Sequence, residues 1–293
     1  RSSDLVLAAF NEMPTKEKKQ KVETNFDLYL QKCCKLIFDE SKKRPELAGM
    51  CTGLDLVAQL GAHAFVAHVG AGRVYLIRNG EAHLLTEDHT QLAHLRRIGK
   101  LSAVSPQDQQ VFSRRVTRAV GYQEAVRADY LLVELQENDR MAIMSDGVWQ
   151  TLGDGTTSSL LCQGESPEQV VHQLHQTVKD TGPKDNFSTV VWKPEFVKTT
   201  TASSGEIRAG ADQKLKLLGR VPAFQFLGYQ ELMKVVSVGE LIKVAAGKDL
   251  CREGDAGGEM MLILHGNALV RIGGKEIGKL STGDVFGEMS MID

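Results

Sequence analysis

Two aspartates occupy similar settings in the sequence, each beside a short apolar run with the composition of a buried strand. Asp146 follows the run 141–144 in "MAIMSDGVW", and Asp185 precedes the run 189–192 in "KDNFSTVVW". If the two strands are antiparallel neighbours, the end of one and the start of the other lie at the same edge of the sheet, so both carboxylates converge there. Two like charges beside a core require a cation, because unpaired charge is costly in that setting.

Oxygen ligands of this kind select a hard divalent cation. Carboxylates favour magnesium, manganese or calcium over zinc, and a site that keeps several waters suits magnesium or manganese. The other interpretation is that Asp146 and Asp185 only begin turns, as Asp-Gly and Asp-Asn pairs commonly do. The residue pattern alone leaves both interpretations open and favours the turns.

Strands and amphipathic helices are predicted around the two aspartates. Residues 19–40 place apolar side chains on one face of a 3.6-residue period, which predicts a long helix. After Cys51 the apolar runs shorten to strand length, and Asn79-Gly80 between two of them predicts a two-residue hairpin turn. The further predicted elements are strands at 130–135, 141–144 and 187–193 and a helix at 167–178.

Composition and charge restrict the classes of function. The 293 residues include 35 Lys and Arg against 37 Asp and Glu, so no basic field points to nucleic acid or to an anionic membrane as a partner. No apolar run approaches the roughly 20 residues of a membrane span, and no signal-peptide pattern opens the chain. The five cysteines, odd in number and without a CxxC pair, predict free thiols and a cytoplasmic location.

Two domains are predicted, joined by a linker. Residues 195–214 are rich in Thr, Ser, Ala and Gly, and such a stretch cannot bury enough apolar surface to offset its ordering entropy. Residues 1–194 form the first predicted domain. Residues 215–293 combine a helical lead-in with short apolar runs between frequent glycines, which predicts a small β-barrel or jelly roll.

Four ordered motifs in residues 1–194 resemble the metal-dependent serine/threonine phosphatases of the protein phosphatase 2C type. They are "AHVGAGRVYLIRNGEAHLLTEDHT", "RVTRAVG", "MAIMSDGVW" and "KDNFSTVVW", where the family usually has VGDSR, LTxDH, SDGLW and DNxTVV in this order. The resemblance implies an α+β fold, an antiparallel β-sandwich flanked by helices, with two bridging metal ions at one end. It also implies that Asp146 and Asp185 bind magnesium or manganese, which activates water to attack a phosphorylated protein substrate.

The sequence departs from the family pattern in two places. The family's N-terminal acidic ligands, DGxGG loop and phosphate-binding arginine have no match in residues 1–18, so we expect this chain to be a fragment that is inactive by itself. The aspartate of VGDSR, which contributes to a third and weaker metal site, is Ala71 here, and the serine is Gly72. These departures keep an alternative open, a catalytically inactive phosphatase-like scaffold that binds a partner under cyclic-nucleotide control.

Other polar residues of this domain carry weaker signals. Arg73 is retained from the family motif and fits a structural strand residue as well as a substrate contact. His89 in "TEDHT" matches a family position near the active site, and a structural hydrogen bond is favoured over a functional contact. His172 and His175 share a helix face, but no third ligand is near them in the sequence, so surface positions are expected rather than a zinc site.

Residues 215–293 resemble a cyclic nucleotide-binding domain through "VPAFQFLGYQELMKVV", "CREGDAGGEMMLILHGNALV" and "LSTGDVFGEMSMID". The resemblance implies that backbone amides after "FGE" bind the phosphate of cyclic AMP or cyclic GMP, and that Glu288 accepts the ribose hydroxyl. Gly287 is expected to let backbone and ligand approach closely. The other interpretation is a barrel without a ligand, because the family's phosphate-binding arginine would come after Asp293.

Overall fold

The computed structural model describes residues 22–60, 63–194, 214–239, 242–252, 254–255 and 258–287, and the chain divides into two compact units after residue 198. The elements of the first unit are α1 (Val22–Lys43), β1 (Leu54–Leu60), β2 (His63–Val69), β3 (Arg73–Arg78), β4 (Glu81–Leu84), α2 (Gln91–Arg97), α3 (Pro106–Arg114), β5 (Asp129–Glu134), β6 (Arg140–Met144), α4 (Asp146–Leu152), α5 (Asp154–Cys162), α6 (Pro167–Thr181) and β7 (Thr189–Trp192).

Two antiparallel sheets organise the first unit. One has the strand order β1-β2-β5 and the other β4-β3-β6-β7. All of β3 is buried, and so is all of β2 except His63. Since alternate residues of a strand point to opposite faces, both sheets must be covered on both sides. The predicted α+β sandwich of antiparallel sheets between helices is confirmed.

Each sheet carries a helical layer. Helix α1 packs the apolar face predicted from its periodicity onto β2, where Phe26 contacts Phe65 edge to face at 5.7 Å. Helices α4, α5 and α6 cover β3 and β6 on the other side. The buried residues of that second core are Tyr75, Ile77, Ala142, Met144, Val148, Trp149, Leu161, Val170, Leu174 and Val178.

The predicted helices, strands and hairpin turn of the first unit are present, but the observed elements begin or end at somewhat different residues. The hairpin turn at Asn79-Gly80 is confirmed, since the two residues have φ of 52° and 80° between the paired strands β3 and β4. The predicted strand 187–193 shortens to β7 because the Ser188 amide donates to Ser145 Oγ instead of joining the ladder. Helix α6 continues to Thr181 and ends where Gly182 adopts the left-handed conformation.

The second unit contains helix α7 (Tyr229–Val238) and two antiparallel ladders, β9 (Asn267–Ile272) with β10 (Lys275–Ser281) and β8 (Met261–Leu262) with β11 (Val285–Phe286). Gly273 and Gly274 both have positive φ and form the turn between β9 and β10. Within the described residues of this unit the two ladders share no strand. The barrel or jelly roll therefore stays a prediction.

Among the described helices, none has both the length and the apolar character that crossing a membrane requires. All five cysteines are free thiols. Burial raises the pKa of Cys33 and Cys34, which lie on the buried face of α1.

Candidate active site

The strands that carry the two predicted aspartates are neighbours. β6 and β7 pair antiparallel, with Met144 opposite Thr189, so the end of β6 and the start of β7 meet at one edge as the sequence predicted. Two hydrogen bonds continue the pairing beyond the ladder. The Ser145 amide donates to the Ser188 carbonyl oxygen, and the Ser188 amide donates to Ser145 Oγ, both at 3.0 Å.

Asp146 is the first residue of α4, and only Ser145 separates it from the end of β6. The glycine that follows it is required by packing, because a Cβ on Gly147 would collide with the carbonyl oxygen of Asn186. Helix α4 and the loop that carries Asp185 thus approach each other through their backbones. The Asp-Gly pair is explained by this close approach rather than by a turn.

The two carboxylates interact electrostatically. Burial raises the pKa of Asp146 and the negative charge of Asp185 raises it further, whereas Arg114 at the end of α3 lowers it. A cation placed near both carboxylates would favour the charged form of Asp146, which burial and the charge of Asp185 disfavour. The chemistry of the pair therefore fits a divalent cation with oxygen ligands.

The described residues contain no complete set of metal ligands. Within residues 22–60, 63–194 and the described parts of 214–287, no group of three or more His, Cys, Asp or Glu side chains is arranged to hold a metal. Magnesium retains several waters and is commonly bound through one or two protein carboxylates. Asp146 and Asp185 fit that pattern of coordination.

The loop 70–72 lies at the same edge of the sheet, because Arg73 at the start of β3 pairs with Met144. Ala71 is buried, and its carbonyl oxygen accepts a hydrogen bond from the Trp149 indole at 2.9 Å. A Cβ on Gly72 would collide with the carboxylate of Asp55. Asp55 therefore fills the space that a serine side chain would need at position 72.

Asp55 is held in that place by a neighbouring strand. It lies on β1 opposite His68 of β2, and its Oδ1 is 2.7 Å from His68 Nδ1. The other ring nitrogen of His68 is 3.0 Å from the carbonyl oxygen of Glu87. The substitution at Gly72 and the acidic residue at position 55 thus form one packing arrangement, which the sequence pattern did not reveal.

Arg73 is a buried cation with a full set of partners. Its Nε and Nη2 donate to the two carboxylate oxygens of Asp88 at 2.9 and 2.8 Å, and its Nη1 donates to Asp154 at 2.6 Å. Burial opposes its charge, but Asp88, Tyr75 and Asp154 raise the pKa of Arg73 overall. Of the two interpretations given to this residue, these contacts support the structural one.

The histidines have structural surroundings. The Gly70 amide donates to His89 Nδ1 at 3.1 Å, so Nε2 carries the proton that bonds Asp129 Oδ2 at 3.1 Å. Burial lowers the pKa of His89. His175 packs edge-on against Phe187 at 5.2 Å and is half-buried, whereas its helix partner His172 is exposed.

Sequence reasoning missed Arg114 as a neighbour of the acidic pair. Together with residues of α3, α4 and α5 it lines a cleft of about 180 Å³. The only signal in the sequence was a basic residue in the last turn of an amphipathic helix, which is common on protein surfaces. The remaining residues that line this cleft are Gln110, Ser113, Trp149, Gln150, Gly153 and Asp154.

Of the two ligand-binding residues predicted in the second unit, the structure describes one. Gly287 follows β11 with a φ of 83°, and a Cβ there would collide with the carbonyl oxygen of Glu259. The close approach at Gly287 is therefore to the backbone of Glu259. Glu288 lies outside the described residues.

Known proteins resemble this chain in sequence. The family model of protein phosphatase 2C matches residues 10–187. The protein phosphatase PhpP of Streptococcus pneumoniae is 25% identical over 142 residues, which are 48% of this chain and 56% of that protein. PstP of Mycobacterium tuberculosis is 27% identical over 192 residues, 65% of this chain and 36% of that protein. The chain thus spans 56% of the length of the pneumococcal relative.

Solved structures share the fold. The serine/threonine phosphatase Stp1 of Staphylococcus aureus superposes with a TM-score of 0.60 at 22% identity, over 66% of this chain and 77% of that one. The M. tuberculosis phosphatase PstP/Ppp gives a TM-score of 0.57 at 26% identity, over 65% and 80% of the two chains. Because the family model covers more than half of the residues, the chain belongs to the protein phosphatase 2C family.

Proposed function

We propose that this protein hydrolyses phosphoserine and phosphothreonine in protein substrates with magnesium or manganese. The observation that carries the proposal is the meeting of Asp146 and Asp185 where β6 ends and β7 begins. Family membership supports it. So does a relative, since the catalytic domain of PstP has been solved in complex with two manganese ions.

Asp146 and Asp185 would hold the metal through their carboxylate oxygens, and a bound metal supplies an activated water and a counter-charge for a phosphate monoester. The protein's own contribution is to keep the two carboxylates together. The paired hydrogen bonds between Ser145 and Ser188 fix the strand ends. Arg114 lies close enough to act on the charge of Asp146, so it can also bind the oxygens of a substrate phosphate.

The test is phosphate release from a phosphoserine peptide by the full-length protein. We expect activity with manganese, loss of activity in excess EDTA, and recovery when manganese is restored. Activity that persists in the chelator would contradict a metal-dependent reaction. Manganese binding without any phosphate release would favour the alternative, a scaffold, which the replacement of the motif acid by a buried Ala71 keeps under consideration.

Ala71→Asp should restore an acidic group to the weakened third metal position. Ala71 is 6% exposed, so an unpaired carboxylate there is costly. We expect the variant to melt at a lower temperature than wild type in EDTA, to regain stability with manganese, and to need a different manganese concentration for half-maximal rate. Thermal melts with and without metal, together with a manganese titration of the rate, measure these effects. A metal response identical to that of wild type would rule the idea out.

The second unit is proposed to be a cyclic nucleotide-binding domain that regulates the phosphatase. The support is the motif "GDVFGEMS", in which Gly283 and Gly287 both take positive φ on either side of β11. Regulation requires that the nucleotide favour one arrangement of the protein over another, because equal affinity for both would shift nothing.

Cyclic AMP or cyclic GMP should stabilise the full-length protein. Ligand at about 100 times its Kd adds about 2.7 kcal/mol to the stability of the domain that binds it, and Glu288→Ala should reduce the shift. Glu276→Ala, at an exposed position on β10, is the matched control. Thermal melts and phosphate release are followed in the same titration. A melt shift with an unchanged rate of phosphate release would exclude regulation. The absence of any melt shift would show that the second unit does not bind the nucleotide.

A further inference from the structure

Arg73 and Trp149 form a buried link between β3 and helix α4, whose first residue is Asp146. The guanidinium carbon of Arg73 lies 3.6 Å from the centre of the Trp149 ring, a close cation–π contact. The same indole donates its N–H to the carbonyl oxygen of Ala71 at 2.9 Å. Trp149 is therefore fixed both by its ring face and by its polar edge.

Arg73 is itself fixed, so the link has a rigid base. Its two-oxygen contact with Asp88 sets the plane of the guanidinium. A third donor reaches Asp154, the first residue of α5. The side chain is 5% exposed, and moving it would leave the carboxylate of Asp88, itself only 13% exposed, without its cation. Trp149 thus packs against a group with a single orientation.

Helix α4 depends on such a contact because it is short. It has seven residues, and its N-cap Ser145 makes no side-chain capping hydrogen bond. A helix of this length has little stability of its own, so tertiary packing sets its direction. Asp146 and Trp149 are three residues apart and lie on the same side of the helix, so a shift of the indole carries the carboxylate with it.

We propose that Arg73 and Trp149 are positioning residues that set the place of Asp146 relative to Asp185 and thereby control metal affinity without touching the metal. The inference rests on the proposed metal-dependent function. Residues that contact metal ligands but not the metal itself, and so orient those ligands, contribute about 10–100-fold to metal affinity in other proteins. Loss of this link should therefore weaken manganese binding within that range.

Graded substitutions separate the two contacts of Trp149. Trp149→Phe keeps a ring against Arg73 and removes the N–H donor, whereas Trp149→Leu removes both contacts. Arg73→Lys keeps the positive charge and removes the two-oxygen contact with Asp88. Manganese affinity of the full-length protein is measured by electron paramagnetic resonance, which needs no substrate. We expect the Kd to rise several-fold for Trp149→Phe and about tenfold or more for Trp149→Leu and Arg73→Lys.

Arg78→Lys is the matched control, because the other end of β3 carries a similar pair. Arg78 donates Nε and Nη2 to the two oxygens of the buried Asp139 at 2.9 and 2.7 Å. Arg78→Lys removes this two-oxygen contact, so it should lower the melting temperature while manganese affinity stays at the wild-type value. A merely structural role for Arg73 would make the two lysine variants behave alike.

Asp146→Asn separates failure of the inference from failure of the proposed function. If that variant binds manganese as wild type does, the metal site itself is wrong. If it loses binding while Trp149→Phe and Arg73→Lys bind as tightly as wild type, the positioning role is overturned. An equal loss of affinity in Arg78→Lys would also overturn it. Should Trp149→Leu fail to fold, Trp149→Phe and Arg73→Lys decide the question.

Discussion

Asp146→Ala and Asp185→Ala should each lower phosphate release by about a thousandfold or more at a manganese concentration that saturates the wild-type protein. A catalytic metal contributes several kcal/mol to the barrier, and about 4 kcal/mol corresponds to three powers of ten in rate. Asp146 and Asp185 are the carboxylates that we assign to the metal at the ends of β6 and β7. The measurement is the rate of phosphate release from a phosphoserine peptide by the full-length protein.

Asp180→Ala is the control for the loss of a carboxylate alone. Asp180 lies exposed in the last turn of α6, where it accepts a hydrogen bond from Gln176 at 2.9 Å. Its rate should equal that of wild type. Wild-type rates in both Asp146→Ala and Asp185→Ala would show that the assignment of metal ligands is wrong, whereas a lowered melting temperature in either would point to unfolding.

The meeting of the two aspartates was predictable because it follows from local rules. Apolar runs of strand length place Asp146 after one strand and Asp185 before another, and antiparallel pairing then brings them to a shared edge. The long helix α1 and the Asn79-Gly80 hairpin were predictable for the same reason. In each case the signal lies within a few consecutive residues.

Contacts between distant segments could not be predicted in this way. Periodicity assigns a residue to a face but does not name its partner, and Arg73 meets Asp154 across 81 positions of sequence. The carboxylate of Asp55 beside Gly72 is a similar case. In the sequence alone, Gly72 stands where the family motif has a serine. In the fold, the carboxylate of Asp55, from strand β1, occupies the space that the serine side chain would need.

The positive charge of Arg114 near Asp146 is the other feature that the local sequence pattern did not predict. Arg114 ends a short exposed helix, and nothing in its own surroundings sets it apart from other surface arginines. Its influence on Asp146 arises only because α3 packs near α4 in the folded chain. Electrostatic neighbours of this kind are a property of the tertiary structure.

Gly147→Ala should impair both stability and activity. Its Cβ would collide with the carbonyl oxygen of Asn186, and because a backbone group cannot rotate away, α4 or the loop of Asp185 must move. Overpacking of this kind destabilises by roughly 1–3 kcal/mol. A displacement of about 1 Å at a catalytic site lowers the rate by about a hundredfold. Thermal melts and phosphate release by the full-length protein measure the two effects.

Gly155→Ala is the control, since Gly155 also lies in the first turn of a short helix, α5, but a Cβ there meets no atom within 4 Å. This substitution should leave the rate unchanged and stabilise the protein by roughly 0.5–1 kcal/mol, because alanine loses less backbone freedom than glycine on folding. If Gly147→Ala behaves like Gly155→Ala, the close approach of α4 to the Asp185 loop is not needed for catalysis. If only Gly147→Ala loses activity while both variants stay folded, the glycine after Asp146 is required for the geometry of the site.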